Sequence, residues 1–83
     1  MKILYFAWLR ERTGLAEEEI APPDGVETVG DLITWIQGRG ENFAHAFETP
    51  EAIRVAVDRE HRPASAPIAG ASEIAFFPPM TGG

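Results

Sequence analysis

Ile3-Leu4-Tyr5-Phe6-Ala7-Trp8 is an uninterrupted apolar run of strand length, rich in residues that favour β structure. Alternation puts Ile3, Tyr5 and Ala7 on one face and Leu4, Phe6 and Trp8 on the other, so both faces are apolar. Such a strand belongs at the centre of a sheet, one face in the core and the other covered. The stretch that answers it lies at the far end. Glu73-Ile74-Ala75-Phe76-Phe77 predicts a last strand, with Ile74 and Phe76 pointing one way and Glu73, Ala75 and Phe77 the other.

Working outward, residues 9–15 are charged and contain Thr13-Gly14, which reads as a short turn or loop. Residues 16–21 hold Glu17-Glu18-Glu19 and then Ile20. They predict an exposed edge strand or extended segment, stopped by Pro22-Pro23-Asp24-Gly25. Thr28 is placed to cap a helix, with Asp31 three residues on as a capping-box partner. Val29, Leu32, Ile33 and Ile36 then recur at helical spacing, with Trp35 beside them, and Gly38-Arg39-Gly40 ends the helix. Phe43 and Phe47 predict a second short helical turn that helps close the core, ended by Thr49-Pro50. Residues 52–57 read as a strand, with Ile53, Val55 and Val57 on one face and Arg54 on the other. Residues 58–62 read as a charged turn and 63–72 as a loop. The order is β-β-α-(short helix)-β-β. It predicts an α+β fold, a mixed four- to five-stranded sheet packed on one main helix. With the first and last strands adjacent at the centre, this is the ubiquitin-like β-grasp. Residues 1–77 form that domain, and 78–83 an extended tail.

Composition narrows the function. The chain has 83 residues, 45% of them hydrophobic, enough for one small packed domain without staples. Cysteine is absent, which removes disulfides, thiolate metal sites and a thiol nucleophile, and a cytoplasmic address is expected. Thirteen acids face seven Lys and Arg, a formal charge of -6, so there is no basic footprint for nucleic acid and little attraction to anionic membranes. A docking partner is expected to present a basic patch. No run approaches the roughly 20 apolar residues of a membrane span, and the opening residues do not read as a signal peptide.

No side chain looks catalytic. His45 and His61 stand far apart without metal-ligand spacing, and read as structural or solvent-exposed. Ser65 and Ser72 lack the signature of an activated nucleophile. The acidic run at Glu17-Glu18-Glu19 reads as a solvated edge that discourages strand pairing, docking being the alternative. What remains is the end of the sequence. Pro78-Pro79 cannot donate to a ladder and stiffens the exit from the last strand. Met80-Thr81-Gly82-Gly83 follows, and without Cβ atoms its last two residues are slender enough for a narrow channel. Six residues from Pro78 span roughly 20 Å when extended. A carboxylate at such a tip is unreactive until activated, for example by adenylation. The acyl-adenylate can then accept sulfur or be attacked by an amine or thiol.

Two stretches carry a resemblance to a known family. Ile3-Leu4-Tyr5-Phe6-Ala7-Trp8-Leu9-Arg10-Glu11 with Gly14 is similar to the opening of the small, sulfur-carrier subunits of molybdopterin synthase. Ile74-Ala75-Phe76-Phe77-Pro78-Pro79-Met80-Thr81-Gly82-Gly83 resembles their ending almost residue for residue. The likeness covers the whole chain, and its specificity lies in the Phe-Phe-Pro-Pro-x-Thr-Gly-Gly tail. Thiazole-synthesis carriers share the fold and terminal glycines but lack that collar.

The resemblance implies that Gly83 is adenylated by an E1-like adenylyltransferase that uses ATP. A desulfurase or sulfurtransferase would then supply the sulfur of a covalent C-terminal thiocarboxylate, with no bound cofactor. Pro78, Pro79, Met80, Thr81 and Gly82 would enter the large synthase subunit, where the sulfur passes to cyclic pyranopterin monophosphate in molybdenum cofactor synthesis. The chain would be a non-catalytic subunit of a heterotetramer, the bases lying on the large subunit. Phe6 and Phe77 match exposed docking residues of the family, core packing being the other reading. Trp8 departs from the usual polar or basic residue, and could enlarge the docking patch or cap the core. The alternatives are a carrier for thiazole or tRNA thiolation, a ubiquitin-like modifier that forms isopeptide bonds, and an interaction module with an inert tail.

Overall fold

The computed structural model describes residues 1–79. β1 (Lys2–Tyr5) is followed by α1 (Trp8–Thr13), β2 (Glu17–Glu19), α2 (Val29–Gln37) and α3 (Glu41–Ala46). A 3-10 turn (Pro50–Ala52) then leads to β3 (Arg54–Val57), β4 (Glu60–His61) and β5 (Glu73–Phe77). The strands form one mixed sheet in the order β2-β1-β5-β3-β4. β1 and β5 run parallel at its centre, with Ile3 opposite Ile74 and Tyr5 opposite Phe76, and the other pairings are antiparallel. This is the ubiquitin-like β-grasp that the two apolar terminal strands predict.

The helices cover one face of the sheet. Ile3, Tyr5, Val55, Ile74 and Phe76 point into the core from the sheet, and Val29, Leu32, Ile33 and Ile36 meet them from α2, all buried. Each large apolar side chain fully buried here is worth about 1.5–3 kcal/mol. Phe47 closes the far side and stands edge-on to Phe76, ring centroids 5.1 Å apart. The Thr28 hydroxyl accepts from the Asp31 N–H while the Asp31 carboxylate accepts from the Thr28 N–H, both at 3.1 Å, so the expected capping box starts α2.

Three expectations are corrected. The first apolar run is a strand only to Tyr5. Phe6 adds one more link, its N–H donating to the Phe76 carbonyl at 3.1 Å, but Ala7 has φ 54° and turns the chain out of the sheet. Residues 9–15 are then not a loop, because Trp8–Thr13 forms α1. Leu9 and Thr13 sit four apart on its buried side, Arg10, Glu11 and Arg12 are good helix formers, and Gly14 at φ 79° ends it in the left-handed conformation. In residues 58–62 the turn is only Asp58 and Arg59, both at positive φ. Glu60 and His61 return as β4 and make the fifth strand.

Candidate functional site

The face of the sheet turned away from the helices is open. Register puts Leu4, Ala75, Ala56 and His61 in one row across it, and Phe77 opposite Arg54 in the next. Phe6, one step beyond β1, is 48% exposed, the one exposed large hydrophobic residue among those described. Phe77 is half-buried. The His61 ring stands edge-on to it at 5.3 Å, so two residues distant in sequence share one surface. Ala56 and Ala75, both buried, put small apolar side chains in the middle of the face.

Charge flanks that apolar strip unevenly. Glu17 and Glu19 lie on the β2 side, held by exposed ion pairs to Lys2 at 3.4 Å and to the N-terminal ammonium at 2.6 Å. Arg54 and His61 lie on the β3–β4 side. β5 then delivers Pro78 and Pro79, both half-buried, at the rim of the strip. Met80, Thr81, Gly82 and Gly83 lie outside the described residues, and with them the reactive tip that the sequence singles out.

His61 was missed as a member of this surface. It sits in a charged stretch, and only the hairpin at Asp58-Arg59 brings it back beside Phe77. Trp8, by its placement, fits the capping role. It packs half-buried against the core at the start of α1, with the Arg12 guanidinium 4.7 Å from its ring centroid. Among the described residues no group of three or more His, Asp or Glu could hold a metal ion, and no helix is long and apolar enough to cross a membrane.

Glu18 is not the solvated residue its acidic neighbours imply. It pairs with Ile3 in register and so points to the helix side. There it accepts from the Tyr5 hydroxyl at 2.6 Å and, in a fork, from Arg39 at 2.7 and 2.9 Å. Arg39 in turn lies over the rings of Phe43 and Trp35, at 4.6 and 5.0 Å. The Arg39 hydrogen bonds hold the Glu18 carboxyl below its ordinary range, against a smaller opposing effect of burial. Burial first, and the bond to Glu18 second, push the Tyr5 phenol well up. This network anchors the edge strand to the helical layer, and it lies on the opposite side of the sheet from Phe6 and Phe77.

The open face and the strand leading to the tail can position a chain end on another protein. Comparison with known proteins agrees in extent. A relative from Haemophilus influenzae named molybdopterin synthase sulfur carrier subunit is 31% identical, covering 100% of this chain and 99% of its own length. One of the same name from Escherichia coli is 32% identical with the same coverage. The crystal structure of small archaeal modifier protein 1 from Haloferax volcanii superposes with a TM-score of 0.73 at 27% identity, covering 96% of this chain and 97% of that one. Residues 3–83 match the ThiS family, so the match begins in β1 and runs through the terminal glycines: the chain belongs to the ThiS family.

Proposed function

We propose that this chain is the sulfur-carrier subunit of a molybdopterin synthase. The observation that carries the reading is the full-length likeness, at 31% and 32% identity, to two relatives bearing that name. The architecture supports it, because the central strand β5 leads directly into Pro78-Pro79 beside an open apolar face.

In this reading the Gly83 carboxylate attacks the α-phosphate of ATP on an E1-like enzyme and pyrophosphate leaves. A persulfide on a desulfurase or sulfurtransferase displaces AMP at the acyl carbon, and a second thiol then cleaves the resulting acyl disulfide, releasing the thiocarboxylate and itself ending in a disulfide. Pro78, Pro79, Met80, Thr81 and Gly82 reach into the large subunit of the synthase, in the cytoplasm. Phe6 and Phe77 seat the domain on that subunit, one carrier at each end of a large-subunit dimer. The sulfur passes to cyclic pyranopterin monophosphate and water restores the carboxylate. Without activation the carboxylate is inert, so the chain acts as a donor and the large subunit supplies the catalytic groups.

Reconstitution tests this. Thiocarboxylated chain mixed with a large subunit and cyclic pyranopterin monophosphate should yield molybdopterin, and chain lacking Gly83 should yield none. Absence of product with the thiocarboxylated chain bound to a competent large subunit contradicts the pathway. The likeness to a protein named a small archaeal modifier keeps a second reading open, conjugation through an isopeptide bond. Adducts on lysines of other proteins, formed with ATP and the activating enzyme, would favour it.

A further inference from the structure

A groove of about 500 Å³ opens between α2 and the outer edge of β3, on the helix side of the sheet. Val29, Ile33, Ile53 and Val55 give it an apolar floor, and Gly30 and Thr34 form its α2 wall. It exists because β4 is short. β4 pairs only with Ala56 and Val57, and the last link across that edge is the Arg62 N–H donating to the Val55 carbonyl at 3.1 Å. Beyond that link, the Val55 N–H and the Ile53 carbonyl have no backbone partner among the described residues. The two groups flank Arg54. A donor and an acceptor placed either side of one residue are the pair that a single residue of an added parallel strand engages.

The charge of the rim narrows the occupant. The chain holds thirteen acids and seven Lys and Arg, yet Arg54 and Arg62, at the strand edge, line this groove against the single acid Glu51. Arg54 reaches only the Glu51 carbonyl, at 3.3 Å, and Arg62 is held by an exposed Glu60. Such contacts are weak enough to exchange for a better carboxylate. No buried polar side chain converges on the floor, as a small-molecule site would require. The open backbone edge suits an extended peptide instead.

We propose that this groove receives an extended apolar segment with flanking acidic residues from a partner protein, added parallel to β3. Such docking is independent of the sulfur-carrier reading and lies on the other side of the sheet from Phe6 and Phe77, sharing with that face only the edge at Arg54 and His61.

The test is titration of the isotope-labelled chain with the synthetic peptide Asp-Glu-Val-Ile-Val-Thr-Glu, followed by amide NMR. Saturable shifts are expected at Gly30, Thr34, Ile53, Val55 and Arg62, with slower hydrogen exchange at the Val55 amide. A peptide with lysines in place of its acids should bind about tenfold more weakly, as should the exposed double variant Arg54→Glu with Arg62→Glu. Thr34→Trp, an exposed change that fills the groove, serves as a second variant and should also weaken binding. Shifts centred on Phe6 and Phe77, affinity unchanged in both variants, or no shift at millimolar peptide would each overturn the proposal.

Discussion

Glu18 differs from Glu17 and Glu19 because one residue of register decides which side of the sheet a side chain meets. Its neighbours make exposed ion pairs of little value, whereas Glu18 is fixed by Tyr5 and Arg39 with only 13% of its side chain exposed. Glu18→Gln should cost about 1–2 kcal/mol in urea denaturation, since charge-assisted bonds are lost at a partly exposed site. The pH dependence follows from the two shifts. Glu18 is depressed in the folded state, so its contribution is full above the ordinary carboxyl value of 4.5 and is lost as pH falls through the lowered one. Tyr5 is raised, so its contribution is intact below 10.0 and declines as pH rises beyond it. Tyr5 is the sole tyrosine, so phenolate absorbance reports it alone. Absorbance should rise together with unfolding; a separate titration of the folded protein near pH 10.0 would contradict the network. Nothing in the acidic run itself distinguishes Glu18, because its partner Arg39 lies 21 residues away and reads locally as part of a helix stop.

α2 was legible in full, from its capping box to its four buried positions, because every signal for a helix of that length is local. Thr28→Ala should therefore remove about 1 kcal/mol, measured by urea denaturation, as loss of an N-cap does. α1 was not legible. Ile3 to Trp8 is continuous in hydrophobicity, and the break at Ala7 is a backbone event that no apolar pattern reports. Ala7 holds φ 54° and ψ -132°, a region that suits glycine. Ala7→Gly should stabilise the domain by about 1 kcal/mol, strain relief outweighing the greater freedom of glycine in the unfolded chain. A loss of stability would show that the turn is unstrained. β4 escaped for a related reason, since two exposed polar residues carry no periodicity and are recruited only by the hairpin before them.

Among the described residues the molecule divides its work between a core whose last member is Phe76 and a surface on the other face of the sheet. That division was readable from the terminal strands, since Ile74 and Phe76 alternate with Glu73, Ala75 and Phe77; the partnership of His61 with Phe77 was not, because the sheet alone creates it. Phe77→Glu should lower affinity for the large subunit about a hundredfold or more, as for an anchor at an interface centre, while leaving the unfolding midpoint nearly unchanged. Unfolding of that variant would place Phe77 in the core instead. Removing Gly82 and Gly83 should abolish sulfur transfer and leave stability unaltered, because glycine has no side chain to bury and the core residues described lie at or before Phe76. The most direct measurement is the intact mass of the chain after incubation with ATP, an E1-like adenylating enzyme and a sulfur donor. The account predicts a gain equal to one oxygen replaced by sulfur, localised to Gly83. An unchanged mass with an activating enzyme proven competent on another carrier would contradict it.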